Sequence, residues 1–466
     1  MKSNRIKSEA IGLSGKMINS QKRSVFENPK SQQKISLQIG EKEGRFTTLW
    51  RRRVRRFYAS IIPSHISESQ QLWLITPQEV VNFVERLRQP EYDVSSIEYV
   101  CILETIADIY DIMEFFSLLR KKLADHARII YFNHNWKWFP IFKIAGLWGL
   151  CRKRAFGNLY HTSDLDCFAD MSGLENVKKI PRYLLPFALP GIGKFFDSFL
   201  AKLPVCRAFT LITVFIARKA VDHSNQEHSV TVLIPCKNEE NNVEAAIKRM
   251  PAFGKSLEIL FINDKSTDRT EETILHCQNN FLEKNIQLAQ GKGQGKGEAI
   301  RTGMKEATGD ICMILDADLT VIPEDLPQFY DAMNLRRADF LYGTRLVYPQ
   351  EEEAMRFANT VGNVGFSMIF SYILEQRVTD TLCGTKVFWR RDWPIFEETR
   401  WILDNYDLWG DYNLIFGAAY YGLKLGELPV RYFNRLEGMT KMEKRIKNGM
   451  IMLKVAWQAL WKIKFH

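Results

Sequence analysis

The run Ile311-Cys-Met-Ile-Leu-Asp-Ala-Asp-Leu-Thr320 places the strongest constraint on what this chain can fold into. Its apolar residues, 311–315, predict a short buried strand that ends at Asp316 and Asp318. Residues i and i+2 of an extended chain point the same way, so both carboxylates should project beyond the carboxyl end of that strand. Two oxygen ligands on one face suit a hard divalent cation, Mg²⁺ or Mn²⁺. The alternative is a solvated turn after a core strand.

Two further strands come before this run, and each also leads to a carboxylate. A β-branched strand at 229–234 leads to Glu239, and a second strand at 257–262 leads to Asp264. Parallel strands joined by right-handed crossovers would gather these side chains at the edge where open α/β sheets bind ligands. The pattern predicts an α/β fold with a doubly wound, mainly parallel sheet.

Four motifs in this half of the chain resemble those of one enzyme family. They are Pro235-Cys-Lys-Asn-Glu-Glu240, Asn263-Asp-Lys-Ser-Thr-Asp268, the Lys/Gly-rich loop 291–297, and Ala307-Thr-Gly-Asp310 followed by Asp316-Ala-Asp318. Together they resemble a family 2 glycosyltransferase with the Rossmann-like GT-A fold, similar to the dolichyl-phosphate mannose and glucose synthases. The resemblance covers residues 229–466, with the GT-A domain at 229–441. Lys237 departs from it, because the synthases often carry an aromatic residue there.

The resemblance implies a site for a UDP- or GDP-linked sugar, with Mg²⁺ or Mn²⁺ as cofactor. Base and ribose would contact residues near the first two strands, and the diphosphate would lie near the third strand and two later basic segments. The implied nucleotide-sugar ligands are Pro235, Glu239, Asp264, Asp316, Ala317, Arg345, Arg435 and Lys441. The implied metal ligands are Asp316, Asp318 and Thr320.

Asp411 stands where this superfamily often has a catalytic carboxylate. A sugar hydroxyl must lose a proton as it attacks, so a positioned base would help it. A lipid phosphate is already ionised, and Asp411 would then only orient groups. We expect an inverting enzyme that transfers a sugar to polyprenyl phosphate. The alternatives are transfer to a hydroxyl of a growing glycan, and a binding protein that holds a nucleotide sugar or lipid without turnover.

A first unit is expected at residues 45–220, joined by a polar linker at 221–228. Its predicted strands at 97–103, 127–132 and 211–217, with a helix around 108–123, resemble in order the second half of a class I methyltransferase. No glycine occurs between Arg45 and Ala145, whereas the cofactor turn of that family needs glycines. We therefore expect a degenerate, structural or docking unit. A bifunctional enzyme is the alternative.

The positive charge of the chain is concentrated at its start. Residues 1–60 hold 15 Lys and Arg against 4 Asp and Glu, which exceeds the net charge of +10 of the whole chain. Residues 1–44 predict a disordered basic tail. Without a nucleic-acid-binding motif, an anionic membrane is the better partner for it. The 8 scattered cysteines fit a reducing compartment, so we expect a cytoplasmic protein, peripheral at the inner face of the membrane.

Residues 442–466 predict an amphipathic C-terminal helix. A helical wheel places Lys447, Lys454 and Lys462 on one stripe, and Trp457 and Trp461 largely outside it. Basic and Trp-rich faces suit a helix that lies at a membrane surface. Packing of this helix against the core of its own domain is the alternative.

Overall fold

The structure is a computed structural model that describes residues 57, 60–62, 72–75, 84–89, 95–106, 109, 111–141, 144, 160–184, 196, 197, 199–203, 205–220, 226–345, 357–380, 383–403, 410, 412–431, 433 and 445–465. Two sheets organise these residues, one on each side of residue 225. The basic tail predicted at 1–44 and the linker residues 221–225 lie outside the described part. The last predicted linker residue, His228, is buried, and its backbone N–H donates to the hydroxyl of Tyr330.

The first unit contains a mixed five-stranded sheet. Its strands are β1 (Leu72–Ile75), β2 (Tyr99–Thr105), β3 (Arg128–His134), β4 (Leu174–Arg182) and β5 (Ile212–Lys219), and its helices are α1 (Ile112–Lys122) and α2 (Thr162–Met171). The strand order is β1-β2-β3-β5-β4. The first three strands are parallel, whereas β5 is antiparallel to both of its neighbours. The three predicted strands and the predicted helix are present with shifted bounds; β1 and β4 were not predicted.

The second unit contains a seven-stranded, mainly parallel sheet. Its strands are β6 (Val230–Cys236), β7 (Leu257–Asn263), β8 (Asn285–Gln290), β9 (Ile311–Ile314), β10 (Phe340–Thr344), β11 (Lys386–Trp389) and β12 (Leu425–Pro429). Its helices are α3 (Glu240–Arg249), α4 (Thr270–Asn280), α5 (Lys296–Glu306), α6 (Leu326–Asn334), α7 (Phe357–Leu374), α8 (Trp393–Glu398), α9 (Tyr412–Tyr420) and α10 (Arg445–Ala459). The order is β12-β10-β11-β9-β6-β7-β8, and only β11 runs antiparallel to its neighbours.

Strand β9 lies between two apolar layers, which explains its unbroken run of apolar residues. Cys312 and Ile314 pack in one layer, whereas Ile311, Met313 and Leu315 pack in the other. Alternate residues of a strand face opposite sides of the sheet, so a strand covered on both faces has no polar positions. The chain turns polar at 316, where the strand leaves the layers.

A buried carboxylate joins the two units. Asp339, just before β10, accepts hydrogen bonds from Arg128 Nη2 on β3 at 2.6 Å and from Arg218 Nη1 on β5 at 3.1 Å. The backbone N–H of Lys424 donates to it at 2.8 Å. Burial alone would raise the pKa of Asp339, but the two guanidinium groups lower it to about 2. The carboxylate is therefore ionised and paired on both sides of the junction.

The carboxyl end of helix α9 forms a second contact between the units. Lys178 Nζ on β4 donates to the carbonyl of Ala419 at 2.7 Å, and Arg128 Nε donates to that of Gly422 at 3.2 Å. The last carbonyls of a helix have no partners within it and carry partial negative charge, so cations are favoured there. Basic residues of the first sheet thus meet acceptors of the second unit.

Helix α10 is apolar on two faces. Its residues Met452, Val455, Ala456 and Ala459 are buried against the core of the second unit. On another face, four large apolar side chains are exposed by more than half: Met450, Leu453, Trp457 and Trp461. A π-helical turn, Leu460–Phe465, follows it. Packing against the domain core, the alternative left open by the sequence, therefore occurs together with an exposed Trp-rich face.

We expect Asp339→Asn to lower the free energy of unfolding by about 3 to 5 kcal/mol, because it removes the buried carboxylate that Arg128 and Arg218 share and leaves Arg218 with only the partly exposed Glu175. Urea unfolding followed by tryptophan fluorescence would measure the loss. The unpaired carboxyl has an ordinary pKa of 3.8, so the contribution of Asp339 is present above that pH and is lost as the pH falls towards 2.

Asp125→Asn is the matched control. Asp125 lies in the same region with its side chain 57% exposed, and it pairs with Lys219 and Arg336. Exposed pairs contribute less than about 1 kcal/mol. Equal effects of the two variants would contradict the central role of Asp339.

Candidate functional site

The centre of the candidate site is the Asp316 carboxylate, two residues beyond the end of β9. Its Oδ1 lies 2.6 Å from Nζ of Lys296, the first residue of α5. The Asp316 side chain is 34% exposed and that of Lys296 is 22% exposed, so this ion pair stands at the surface of the sheet edge. The position beside Asp316 already accommodates a positive charge.

Gly384, just before β11, lies directly against this carboxylate. A Cβ atom at 384 would overlap Asp316 Oδ2 and would lie 3.0 Å from Lys296 Nζ. No residue other than glycine fits there without displacing Asp316, because any side chain begins with that atom. The backbone at 384 therefore closes one side of the ion pair.

Asp318 is held by the turn that contains it. Its Oδ1 accepts hydrogen bonds from the backbone N–H of Thr320 at 3.2 Å and from the Thr320 hydroxyl at 2.9 Å. Leu319, between them, has a φ of +52°. The carbonyl of Thr320 accepts from the backbone N–H of Phe433 at 3.0 Å. The Thr320 hydroxyl, predicted as a metal ligand, thus orients the Asp318 carboxylate.

Asp264 organises the glycine-rich loop. It is buried, and its two oxygens accept from the backbone N–H groups of Gly293, at 2.6 Å, and Gly295, at 2.9 Å. Both glycines have positive φ, +78° and +97°, which L side chains rarely adopt. The glycine-rich loop is therefore anchored to Asp264 before it enters α5 at Lys296.

Pro235 lies near the end of β6, and Glu239 follows the strand, so both residues lie along the same edge of the sheet. Glu239 Oε2 accepts from Asn242 Nδ2 at 2.8 Å, and the Glu239 backbone N–H donates to Thr270 Oγ1 at 2.9 Å. Both Pro235 and Glu239 are partly exposed. Their neighbour Asp268 accepts hydrogen bonds from the backbone N–H groups of Glu240 and Thr270, the first residues of α3 and α4. Burial opposes its ionisation, but hydrogen bonds from Thr270 and Glu240 outweigh burial and lower its pKa.

Arg345 follows β10 and pairs with a buried aspartate. Its Nε and Nη2 donate to the two oxygens of Asp380 at 2.7 and 2.8 Å, and its backbone N–H donates at 3.0 Å. Both residues are buried. This bidentate pair holds Asp380, on the segment that leads to Gly384. Arg345, which was predicted to bind phosphate, therefore supports the site through Asp380.

The catalytic candidate Asp411 and the phosphate candidates Arg435 and Lys441 lie outside the described residues. Gly410 is described, and its backbone packs against the start of α5. A Cβ added at Gly297 would lie 3.0 Å from Gly410 Cα, and one added at Gly410 would overlap Gly297 Cα. The chain therefore passes beside Lys296 immediately before Asp411. Ala317, between the two aspartates, is buried.

Sequence reasoning missed Lys296 and Gly384 as site residues. Lys296 was one residue of the Lys/Gly-rich loop 291–297, and Gly384 was not singled out. Only a weak signal in the sequence pointed to Lys296. It is a basic residue at the start of a helix, and a helix that begins beside the carboxylates at the sheet edge can present its first side chain to them. Nothing in the local sequence of residues 380–386 indicates that its glycine lies against Asp316.

The donor set fits a hard divalent cation. Oxygen ligands at the end of β9 are those that Mg²⁺ and Mn²⁺ prefer, and a cationic group already pairs with Asp316. Within the part of the chain that the structure describes, no group of three or more His, Cys, Asp or Glu side chains could hold a metal by itself. Mg²⁺ is commonly bound by one or two carboxylates together with substrate phosphates.

Residues 231–392 match the family model for glycosyl transferase family 2. This segment contains β6 to β11 and every described carboxylate of the site. Together with the mainly parallel sheet, the match confirms the predicted α/β, GT-A fold class for the second unit.

Two of the curated relatives that match parts of the chain are sugar transferases. One is the undecaprenyl-phosphate 4-deoxy-4-formamido-L-arabinose transferase of Pectobacterium carotovorum, 33% identical over 122 residues, 24% of this chain and 37% of that protein. The other is the dolichol-phosphate mannosyltransferase of Pyrococcus furiosus, 32% identical over 142 residues, 30% of this chain and 40% of that protein. The chain therefore spans about two fifths of the length of each.

Among solved structures, the chain is similar to glucosyl-3-phosphoglycerate synthase from Mycobacterium tuberculosis in complex with Mn²⁺, UDP and glucosyl-3-phosphoglycerate. The sequence identity is 16% and the TM-score is 0.36, over 51% of this chain and 80% of that one.

We expect Lys296→Met to bind Mn²⁺ alone at least threefold more tightly than the unchanged protein, because the metal then no longer competes with an ammonium group for Asp316. An exposed pair of this kind is worth up to about 1 kcal/mol. Isothermal titration without nucleotide measures the affinity.

Lys305→Met, an exposed position in the last turn of the same helix, is the control and should leave the affinity unchanged. Unchanged or weaker Mn²⁺ binding in Lys296→Met would show that the metal does not share Asp316 with Lys296.

Proposed function

We propose that this chain is an inverting glycosyltransferase that moves a sugar from a nucleotide-diphosphate sugar to polyprenyl phosphate at a membrane surface. The observation that carries the proposal is the family 2 match over residues 231–392, which includes the Asp316–Lys296 ion pair at the carboxyl end of β9. Ligands of open α/β sheets bind at this edge.

The donor would lie along the edge formed by β7, β6 and β9. Pro235 and Glu239 are the candidates for contacts with base and ribose. Asp264 would hold the glycine-rich loop 291–297 in place, and it would itself lie at the edge where the donor binds. Asp316, Ala317 and Asp318 would lie at the diphosphate, with Thr320 fixing Asp318. A bound Mg²⁺ or Mn²⁺ supplies positive charge for the leaving diphosphate.

Basic residues would complete the diphosphate site. Lys296 can move from Asp316 to a phosphate oxygen when a divalent cation takes its place, because its side chain is long and partly exposed. Arg435 and Lys441 are proposed phosphate ligands on the segment after β12. Arg345 would support the site through Asp380, and a direct contact with phosphate would require it to leave that pair.

Both relatives are named for a polyprenyl-phosphate acceptor, although their sugars differ. In the proposed reaction a phosphate oxygen of the lipid attacks the anomeric carbon opposite the leaving group. The new carbon–oxygen bond forms as the bond to the diphosphate breaks, and the nucleoside diphosphate departs with the electron pair. The acceptor is already ionised, so Asp411 would orient it rather than remove a proton. With a glycan hydroxyl as acceptor, Asp411 would be the base.

The first unit would be the degenerate methyltransferase-like domain expected from the sequence, with a docking role. Its buried Arg128, Arg218 and Lys178 all reach acceptors of the second unit. This use of its strands supports a structural role over methyl transfer. The proposed domains are the tail 1–44, this unit at 45–220, the linker 221–228, the GT-A domain 229–441 and the C-terminal helix 442–466.

The exposed face of α10 would bind the membrane that contains the acceptor. Trp457 and Trp461 stack with ring centroids 6.4 Å apart, and Lys454 is exposed on the same helix. Met368 on α7 is also exposed, and α7 packs against α10. No helix in the described part of the chain has the length and apolar character needed to span a bilayer. The proposed location is the cytoplasmic, inner face of the membrane, without a nucleic-acid partner.

The first test is thermal stabilisation of the full chain by UDP and GDP, each with and without Mn²⁺ or Mg²⁺. At about a hundredfold excess over Kd, a bound ligand adds about 2.7 kcal/mol to the free energy of unfolding. We expect one nucleotide to stabilise the protein only with metal, and Asp318→Ala to lose the effect. Asp331→Ala, an exposed site on α6, is the control. Folded protein that responds to neither nucleotide would refute the proposal.

Transfer itself distinguishes the acceptors. Radiolabelled sugar from the stabilising donor class should appear on short-chain polyprenyl phosphate and not on free sugar acceptors. Label on a glycan hydroxyl would establish the alternative enzyme. Nucleotide binding without either product would indicate a binding protein.

For the membrane contact, we expect Trp457→Ser with Trp461→Ser to weaken binding to anionic vesicles at least tenfold, since two aromatic side chains lose about 1.4 kcal/mol or more of apolar burial. Vesicle co-sedimentation measures binding. Leu282→Ser, at a residue that is 84% exposed elsewhere in the second unit, should bind as the unchanged protein does. Equal binding by all three proteins would exclude this face as the docking surface.

A further inference from the structure

A cavity lies where the first unit meets the C-terminal end of the chain, away from the edge that carries Asp316. Strand β4 forms one wall, and the end of α7, the end of α9 and the turn after α10 form the others. The lining residues are Ile61, Lys178, Ile180, Pro181, Arg182, Ala201, Arg207, Ile373, Glu375, Tyr420, Ile463 and Lys464. None of them belongs to the proposed nucleotide-sugar site.

The lining is strongly cationic. Among the described lining residues there are four basic side chains, Lys178, Arg182, Arg207 and Lys464, against one carboxylate, Glu375. Glu375 is shared, since it accepts hydrogen bonds from both Arg207 and Lys464. Like charges brought together in a partly buried space repel one another more strongly than they do in water. The cavity therefore holds positive charge in excess of what its own wall neutralises.

Burial disfavours the charged form of two of these side chains. Burial, and then the charge of Arg182, lower the pKa of Lys178 to about 7. Lys178 Nζ has neutral acceptors, the carbonyls of Ala419 and Tyr420. Burial also lowers the pKa of Arg182, with Arg207 adding to the effect and Asp197 opposing it. An anion would relieve both groups.

Arg182 has unused hydrogen-bonding capacity. Its guanidinium lies 4.5 Å from the centroid of the Phe57 ring, and its Nε is buried without a hydrogen-bond partner among the described residues. The nearby Asp197 accepts the backbone N–H of Leu184 at 3.1 Å. A buried N–H donor without an acceptor costs about 1 to 3 kcal/mol, so an acceptor that enters the cavity would remove this cost.

We propose that this cavity is a binding site for a phosphate group, held by Arg182 and Lys178 from the first unit and by Lys464 from the C-terminal turn. Arginine presents several donors in a plane that suits phosphate oxygens, and the near-divalent charge of phosphate matches the cationic excess. The inference does not depend on the proposed transferase activity.

A phosphate group bound in the cavity would connect the first unit with the C-terminal turn of the second. The ligand would contact β4 on one side and, on the other, the turn Leu460–Phe465, which contains Trp461 and directly follows the helix that bears Trp457. Phosphate binding would therefore stabilise the junction of the first unit with the proposed membrane-facing helix. The phosphate group could belong to free inorganic phosphate or to a lipid head group, and the two sources give different results below.

The test uses the full chain in phosphate-free buffer, titrated with inorganic phosphate and with pyrophosphate. Thermal stabilisation and isothermal titration should give a saturable site with Kd at or below about 1 mM. Arg182→Gln should weaken that binding about tenfold, because it removes a charge-assisted donor. Phosphate bound instead at the nucleotide site would be unaffected by Arg182→Gln and weakened by changes near Asp316.

Lys179→Gln is the matched control. Lys179 is the next residue after Lys178 on β4, but its side chain is 42% exposed and pairs with Asp166. It should bind phosphate as the unchanged protein does. If Lys179→Gln and Arg182→Gln weakened phosphate binding equally, general surface charge would explain the binding and the proposal would be overturned.

Hydrogen exchange on the unchanged protein provides a readout that needs no variant. Saturating phosphate should protect residues 174–182 and 460–465 together, and residues 285–290 should be unaffected. If only vesicles with phosphatidic acid protect these segments, the source is a lipid head group; protection by free phosphate assigns the small anion. Absence of protection in both arms would overturn the proposal even if Arg182→Gln does not fold.

Discussion

The buried Asp339 carboxylate is the interaction on which the arrangement of the two units depends. Two strands of the first sheet each supply one guanidinium to it, and the second unit supplies a backbone N–H. The pairing fixes how the two units meet, because a shifted contact would leave buried charges without their partners, and that is costly. Asp339 directly precedes strand β10, and Arg345 directly follows it. The first unit therefore fixes one end of β10, and the Arg345–Asp380 pair fixes the other.

Close backbone approach is the second constraint, and it shapes the site. Four segments far apart in the sequence meet within van der Waals contact: the start of α5, the residues after β9, Gly384 ahead of β11 and Gly410 ahead of α9. Glycine at 297, 384 and 410 allows this, because a Cβ at any of these positions would meet another segment. The carboxylate of Asp316, the ammonium of Lys296 and the chain that leads to Asp411 are thereby brought to one point of the sheet edge.

Much of the second unit could be predicted because its signals are local. An apolar run covered on both faces predicted β9, β-branched runs predicted β6 and β7, and each was found within two residues of its expected bounds. The edge position of Glu239, Asp264 and Asp316 follows from parallel pairing. The partners of these side chains could not be predicted. Asp264 is bound to the backbone of a loop almost thirty residues away, and Arg345 to an aspartate thirty-five residues away.

The sequence by itself determined the fold class of the second unit, its strands β6, β7 and β9 and the edge at which its acidic side chains collect, because periodicity and strand-end residues are properties of neighbouring positions. Tertiary structure alone decided which charges are paired. It buried Asp339 between two arginines, placed Lys296 on Asp316, and packed one apolar face of α10 on the core while leaving Trp457 and Trp461 exposed. The physical reason is that the partner of a charge, or the surface that covers an apolar face, lies within a few ångströms of it in space. Distance along the chain does not determine which residues those are.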